Sequence, residues 1–169
     1  TCNSTSCASV IVTVEQAPTL TPNTTCINTA GDIAGATASG LAKPSCDAFA
    51  SPTLEDVWYE FQATSSSHNI IVTPSSGFDP VLVLYTSCSG GEIGCADSGG
   101  NWATETITAT GLIVGAAYYV RVYDYGSVPP TTTTFNICVI TLCTPPGAAT
   151  ISGIASPCQS STQNYIASA

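Results

Sequence analysis

The feature that most constrains this chain is a series of short segments in which apolar and polar residues alternate. A period of two is typical of strands that bury one face. No stretch sustains a 3.6-residue apolar period between credible helix caps. The sequence therefore predicts an all-β fold, an antiparallel β-sandwich of jelly-roll type. The segments, separated by clusters of Gly, Ser and Pro, are "DVWYEFQAT", "HNIIVT", "PVLVLYT", "TETITAT", "AYYVRVYDY" and "TTFNICVIT".

Charge and cysteine content narrow the class of protein. The chain has 11 acidic residues against two cations, Lys43 and Arg121, for a net charge of −9. Because nucleic acids and anionic membranes attract basic surfaces, we expect no nucleic-acid partner. The chain also lacks an apolar run of 18 residues, so we expect no membrane insertion. Nine cysteines with a single histidine, His68, and no C-x-x-C pair indicate disulfides in an extracellular protein rather than a metal site.

Pro-rich stretches suggest where modules meet. "SVIVTVE" reads as a strand that stops before the linker "QAPTLTP", and "CTPPGAATISGIASPC" begins another change of composition. We expect a central sandwich over residues 21–143, with strands of neighbouring modules in residues 1–18 and 144–169. The last segment supplies about two strands, "TISGI" and "QNYIAS". Since a two-stranded piece is marginal alone, neither end can close a sandwich by itself.

Several central blocks also resemble a known family. "DVWYEFQATSSSHNIIVT", "FDPVLVLYTSCSGGEIGCADSGG", "ETITATGLIVGAAYYVRVYDYG" and "TTFNICV" are similar to pre-peptidase C-terminal (PPC-like) β-sandwich repeats, above all those of large secreted surface proteins of Bacteroidetes. Both ends resemble immunoglobulin-like or PKD-like repeats. "TGLIVGAAYYVRVY" also fits the fibronectin type III pattern, in which a Tyr bonds back across a corner. The "DVWYEF" block favours the PPC-like alternative.

This resemblance implies a function outside catalysis. In that family, alternating modules form long adhesins or filaments exported by type IX secretion. We therefore expect an extracellular, cell-surface stalk module that is not an enzyme. Its expected partners are neighbouring repeats and a surface polysaccharide or protein ligand. The alternative is a carbohydrate- or protein-binding accessory domain of an exported hydrolase. No G-x-S-x-G nucleophile elbow appears, and His68 lies at a strand start, as a core-edge or solvated histidine would.

The spacing of the cysteines suggests pairings. Cys88 and Cys95 flank the turn "SGGEIG", which predicts a bond that closes the tip of a hairpin. Cys26 has two plausible partners, Cys46 and Cys138; the first lies with it in the loop-rich entry to the central unit and is preferred. Cys138 would then pair with Cys143.

Isolated acids supply the candidate metal ligands. Ca²⁺ takes carboxylate and carbonyl oxygens, and Gly-rich loops offer both. No D-x-D-x-D-G run is present, so no cofactor is the first expectation and Ca²⁺ the second. The candidate ligands are Asp79, Glu92, Asp97 and Asp124.

Aromatic residues supply the candidate ligand surface. Alternation places Tyr119, Arg121 and Tyr123 on one face of their strand, and Trp58 is a further candidate for an aromatic platform. The alternative is a packed sheet surface in which Arg121 meets a carboxylate, for which we expect Glu60, because an unpaired charge there would be costly.

Overall fold

The computed structural model describes residues 17–48, 55–100, 102–126, 130–142, 150–152 and 166–168. Within these ranges all regular structure is β. These ranges contain no helix with the length and apolar character of a membrane span. The strands are β1 (Thr29–Asp32), β2 (Asp56–Gln62), β3 (Ser67–Pro74), β4 (Pro80–Ser87), β5 (Gly90–Ala96), β6 (Glu105–Thr110), β7 (Ala117–Asp124), β8 (Thr134–Thr141), β9 (Thr150–Ser152) and β10 (Ile166–Ser168).

The strands form a sandwich of two four-stranded sheets. One sheet has the order β1-β8-β3-β6 and the other β2-β7-β4-β5, and neighbouring strands run antiparallel in both. The predicted antiparallel β-sandwich is thus confirmed. The alternating segments correspond to β2, β3, β4, β6, β7 and β8. Two strands were not predicted: β1 is short, and β5 ("GGEIGCA") has three glycines where strands usually carry β-branched residues.

The core lies between the sheets and follows from the alternation. Inward residues of both sheets, such as Phe61, Ile70, Leu84, Val120 and Ile137, are almost fully buried in one cluster. The fibronectin-like corner also exists, since the Tyr118 hydroxyl accepts a hydrogen bond from the Ile113 backbone N–H at 2.9 Å.

The sandwich begins earlier than the expected boundary at residue 21. Glu60 of β2 donates its backbone N–H to the Pro18 carbonyl, and Leu20 donates to the Glu60 carbonyl at 2.7 Å. The Leu20 side chain is 2% exposed and belongs to the core. Asn23 then bonds the other sheet through the Val139 carbonyl. Residues 18–20 therefore belong to the sandwich and not to a linker.

The expected pair of strands in the last segment corresponds to β9 and β10, which pair antiparallel with each other. The rest of the assignments to neighbouring modules, for residues 1–16 and for most of 144–169, lie outside the described residues. The expectation that both ends belong to immunoglobulin-like repeats stays a prediction.

Candidate functional site

The predicted aromatic face is a packed surface under a segment of the chain. Arg121 and Tyr123 point outward from β7, as alternation indicated, but both are 0% exposed. They are therefore unavailable to an external ligand, and their assignment to a binding platform is wrong. Trp58 and Tyr119 pack beside them and remain partly exposed. The packed-surface alternative is the correct one for this sheet.

Residues 39–47, called the cover segment, lie over this face. Ser45 donates its backbone N–H to the Glu92 carboxylate of β5, and Cys46 is disulfide-bonded to Cys95. The carbonyl of Ala42 accepts a hydrogen bond from Arg121 at 3.4 Å. Each of these bonds joins a loop residue to the outward side of the sheet, so the segment is fixed in place.

Charges beneath the cover segment are paired. Arg121 donates to the Asp56 carboxylate through Nη2 at 2.7 Å and through Nε at 2.8 Å. A buried guanidinium needs such a partner because desolvation would otherwise cost several kcal/mol. The partner expected from the sequence was Glu60; the observed partner is Asp56, which starts the same strand and was not predicted.

A second pair completes the network. Asp47 accepts hydrogen bonds from the Tyr123 hydroxyl at 2.8 Å and from Lys43 at 2.7 Å. Burial, followed by the Asp47 carboxylate, raises the pKa of Tyr123 far above its ordinary value. Tyr123 is therefore a neutral hydrogen-bond donor, and both cations of the chain contribute to holding the cover segment.

The disulfides differ from the predicted pairings. The structure bonds Cys26 to Cys138 and Cys46 to Cys95, and it leaves Cys88 as an exposed free thiol. The Cys88–Cys95 prediction is wrong because residues 90–96 form a strand rather than a turn. Cys95 lies opposite Val83, well along the hairpin, while Cys88 is at its tip.

The other pairings fail for a related reason. Cys26 immediately precedes β1, which pairs with β8, and Cys138 lies in the middle of β8. The alternative partner that the sequence left open for Cys26 is therefore the observed one. This excludes both Cys26–Cys46 and Cys138–Cys143. Cys143 itself lies outside the described residues.

Three of the four predicted metal ligands come close together at one end of the sandwich. The Asp124 carboxylate accepts a hydrogen bond from the Asp79 backbone N–H at 3.1 Å. The charge of Asp79 also contributes to raising the pKa of Asp97. Glu92 is elsewhere, bonded to Ser45 of the cover segment. In the described part of the chain, no group of three or more His, Cys, Asp or Glu side chains is arranged to hold a metal ion. The described residues therefore form no Ca²⁺ site of the kind that was expected.

Crowding of carboxylates at this end changes their protonation. Burial, followed by the nearby charges of Asp79, Asp47 and Glu105, raises the pKa of Asp97 to about 6. Burial and the charge of Asp124 also raise the pKa of Asp79. Like charges disfavour ionisation of each other. This end of the molecule is therefore negative at neutral pH and less so in mild acid.

The loops at this end are joined by backbone hydrogen bonds. We call residues 75–79, 97–100, 102–104, 124–126 and 130–134 the loop end. Ser75 donates to the Thr134 carbonyl at 3.0 Å, Trp102 to that of Phe78 at 3.2 Å, and Tyr125 to that of Asp79 at 2.9 Å. These bonds connect the three interstrand loops in series and hold them as one surface.

Trp102 is the most conspicuous residue of the loop end. Its side chain is 63% exposed. Its φ of +75° makes it the one non-glycine residue with positive φ in the described ranges. A bulky side chain in the left-handed region costs on the order of 1–3 kcal/mol and persists where the surroundings impose it. Such strain, in a residue whose ring faces solvent, points to function rather than packing.

Glu105 fixes the part of this loop that precedes Trp102. The side chain of Glu105 is 0% exposed at the start of β6. Its carboxylate accepts hydrogen bonds from the Ser98 backbone and hydroxyl, and from Gly99 N–H at 2.8 Å. A Cβ on Gly99 would overlap Ala103, so the loop also requires glycine at this point. Sequence reasoning missed both Trp102 and Glu105; the signal was a Trp directly after the Gly-rich run "SGGN".

His68 has a structural role. It is 0% exposed, and its Nε2 accepts the backbone N–H groups of Thr64 at 3.2 Å and Ser65 at 3.1 Å. Burial lowers the pKa of His68, which keeps the ring neutral. The single histidine thus stabilises the turn before β3, and it lies in the core instead of at the loop end.

Comparison with known proteins identifies the family. A family model described as galactose binding domain-like, and named for an association with the type IX secretion system (T9SS), matches residues 10–137. The chain belongs to this family. The match begins inside the segment that the sequence assigned to a preceding module. Type IX association together with disulfide bonds is the profile of a secreted or cell-surface protein.

This galactose binding domain-like chain is also similar to solved structures. The 1.0 Å crystal structure of the pre-peptidase C-terminal domain of a collagenase from Bacillus anthracis is similar, with a TM-score of 0.47 and 16% identity. The alignment covers 74% of this chain and 95% of that domain. A search of curated proteins finds no match to the chain.

Proposed function

We propose that this chain is a non-catalytic, saccharide-binding module of a secreted adhesin at the cell surface, and that Trp102 is its principal ligand contact. The observation that carries the proposal is the display of Trp102 in a strained, left-handed conformation on a loop fixed by a buried carboxylate. A large ring held rigid before binding loses little entropy when a ligand stacks on it.

The surroundings of Trp102 support a saccharide as the ligand. An indole offers an apolar face for the C–H side of a sugar ring, together with an N–H donor. Asp79, Asp97 and Asp124 belong to the same loop end and are partly exposed. Carboxylates accept hydrogen bonds from hydroxyl groups. An aromatic face beside acceptors is a suitable combination for a polyhydroxylated ring.

The chemistry of the loop end supports binding rather than turnover. The single histidine, His68, is enclosed in the core, and Arg121 is buried between the sheet β2-β7-β4-β5 and the cover segment. The loop end therefore offers acids and an aromatic ring. The β9–β10 pair that follows the sandwich supports a place among further modules of an adhesin, as the family's association with secretion does.

The experiment compares Trp102→Ala with Ile113→Ala in the full chain. Ile113 is 70% exposed at the opposite end of the sandwich, so it is a matched control for loss of exposed apolar surface. Binding to a panel of soluble oligosaccharides is measured by glycan array and then by calorimetry. We expect Trp102→Ala to weaken binding about 30-fold, as expected for a central aromatic anchor, and Trp102→Phe to retain part of it.

The control defines what would contradict the proposal. Ile113→Ala should bind like the unmodified chain. Equal affinities for Trp102→Ala and Ile113→Ala would remove Trp102 from the site. A panel without any bound oligosaccharide would remove the saccharide from the proposal.

A further inference from the structure

The outward side of β8, β3 and β6 carries mainly uncharged polar side chains. In β6 the inward residues are buried, whereas Thr106, Thr108 and Thr110 are all exposed. The register places Thr108 beside Asn69 and Thr106 beside Ile71 of β3. The row of Thr108 and Asn69 therefore presents a hydroxyl and an amide, whereas the row of Thr106 continues into Ile71 and then into Cys138 of β8.

The array continues across the sheet to β8. Thr73 of β3 lies beside Asn136, and both are exposed. We call Asn69, Thr73, Thr106, Thr108 and Asn136 the threonine face. At the corner where β1 meets β8, a recess of about 480 Å³ is lined in part by Thr73 and Asn136 of this face and by Asp32 at the end of β1, which is the nearest charged residue of this sheet.

The absence of charge distinguishes this face. None of the outward residues of β3, β6 or β8 is acidic or basic. The outward side of the other sheet carries Asp56, Glu60, Glu92 and Arg121. Threonine suits an exposed strand through its β-branched side chain, but strand propensity alone does not exclude Lys or Glu from every outward position of three strands.

The size of the face limits what can occupy it. Three strands about 4.8 Å apart, over about six residues of about 3.4 Å each, give roughly 300 Å². A stable protein–protein interface needs about 800 Å² from each partner. A protein or a second copy of this chain would therefore have to bury most of its contact elsewhere. A narrow polymer needs no more than such a strip, because many modules or many repeats add their contacts.

The chemistry of the face fits a neutral, hydroxyl-rich chain. A threonine hydroxyl and an asparagine amide each donate and accept hydrogen bonds, as sugar hydroxyls do. The outward positions of β3, β6 and β8 offer no charged group with which a polycation or a polyanion could pair. We propose that the threonine face is a second binding surface, separate from Trp102, on which the extended chain of a neutral polysaccharide lies across β6, β3 and β8. This rests on the proposed role of the chain as a saccharide-binding module.

The test uses the full chain and insoluble or gel-embedded neutral polysaccharides (glucans, galactans, mannans and xylans), with chitosan and alginate as charged comparators. The variant Thr106→Val/Thr108→Val removes two hydroxyls while keeping β-branched side chains, so the strand should be preserved. Thr86→Val, at an exposed position of β4 in the other sheet, is the matched control. Thermal unfolding of each variant shows that it is folded.

We expect at least one neutral polysaccharide to retain the chain, and retention to be insensitive to salt between ~0.01 M and ~1 M. The double variant should bind about tenfold more weakly, and Thr86→Val should bind normally. Retention by charged polymers alone, loss of retention at high salt, or equal retention of the double variant and Thr86→Val would each overturn the proposal. So would a face occupied by protein, seen as a concentration-dependent dimer that the double variant abolishes.

These experiments can refute the proposal for Trp102 and the proposal for the threonine face independently of each other. If oligosaccharides still bind through Trp102 while the double variant is retained normally, the threonine face alone is refuted. If the double variant loses the polymer while Trp102→Ala behaves normally with every saccharide, the function proposed for Trp102 is refuted and the face stands.

Discussion

The two outward faces of this sandwich solve the problem of an exposed sheet in different ways. The sheet β2-β7-β4-β5 is covered by residues 39–47, and its outward Val81, Val83 and Tyr85 are nearly as buried as the core. The sheet β1-β8-β3-β6 instead presents exposed threonine and asparagine. One face is thus a second interior and the other is a surface.

The covered face differs from the uncovered one in its charged residues, which are few and lie close together in pairs. Both cations of the chain, Lys43 and Arg121, belong to the covered side, where they meet Asp47 and Asp56. Polar groups enclosed in this way must be matched, since an unmatched buried charge costs several kcal/mol. On the uncovered sheet, water satisfies the threonine hydroxyls. Substitutions should therefore be costly on one face and nearly neutral on the other.

The largest contrast is expected for Arg121→Met. Removing the guanidinium leaves the buried Asp56 carboxylate without its ion pair, so the free energy of unfolding should fall by about 3–5 kcal/mol. Thr108→Val on the uncovered face should change it by less than about 0.5 kcal/mol. Urea denaturation followed by circular dichroism measures both.

A double variant separates lost pairing from lost packing. Arg121→Met combined with Asp56→Leu replaces the pair by apolar groups, and we expect it to recover part of the loss. The opposite outcome is that the double variant loses more free energy of unfolding than Arg121→Met and Asp56→Leu lose when their separate losses are added. In that case Asp56 is stabilised mainly by Ser39 and Trp58, which also donate hydrogen bonds to it. If Arg121→Met is as mild as Thr108→Val, the two faces are energetically alike.

A smaller effect is expected from the two disulfides. Cys46–Cys95 closes a separation of 49 residues and Cys26–Cys138 one of 112. Each pair replaced by alanines should therefore lower the free energy of unfolding by about 2–4 kcal/mol, by a similar amount for both because loop entropy grows slowly with length. The two disulfides differ in the part of the chain that should open more often when each is removed. Loss of Cys46–Cys95 should speed amide hydrogen exchange in residues 39–47, and loss of Cys26–Cys138 should not.

Peptide mapping of the unmodified chain under non-reducing conditions is the companion measurement. It should recover Cys46 linked to Cys95, and Cys26 linked to Cys138. Unchanged exchange in residues 39–47 after loss of Cys46–Cys95 would mean that hydrogen bonds alone hold the cover segment.

Sequence reasoning reached the strands because alternation is a local property. In β7 the pattern correctly separated Tyr118, Val120 and Val122 from Tyr119, Arg121 and Tyr123. It could not say what lies over the outward set, because the cover segment is far away in sequence and has no regular structure. The same residues therefore read as a ligand platform or as a packed surface, and the structure decides for packing.

The cysteine predictions failed because nearness in sequence was used in place of sheet order. Cys88 and Cys95 flank a glycine-rich turn in the sequence, yet β5 carries Cys95 away from the tip and toward Cys46. Sheet order also brings Cys26 and Cys138 together, because the segment after residue 20 crosses to the edge of β8. Trp102 was missed since no motif marks a residue in the left-handed conformation, on a loop where the buried Glu105 carboxylate accepts hydrogen bonds from Ser98 and Gly99.

The smallest expected effect is the dependence of stability on pH. It involves the covered face because the charge of Asp47, in the cover segment, contributes to the raised pKa of Asp97. The folded-state pKa of Asp97 is about 6, above the ordinary 3.8, so the folded chain binds more protons than the unfolded chain between these values. The contribution of Asp97 to stability therefore increases as pH falls from about 7 to about 4. Because this carboxylate is partly exposed, solvent screening should limit the gain to about 1 kcal/mol.

The matched variant isolates Asp97 from an opposing group. Burial lowers the pKa of His68, so His68 makes the fold less stable as pH falls below its unfolded value of about 6.5. Since Asp97→Asn leaves His68 in place, the difference in unfolding free energy between the unmodified chain and Asp97→Asn, measured across this pH range, reports Asp97 alone. We expect this difference to shift in favour of the unmodified chain on acidification. A difference independent of pH would show that Asp97 ionises normally, and that repulsion from the cover segment does not reach the loop end.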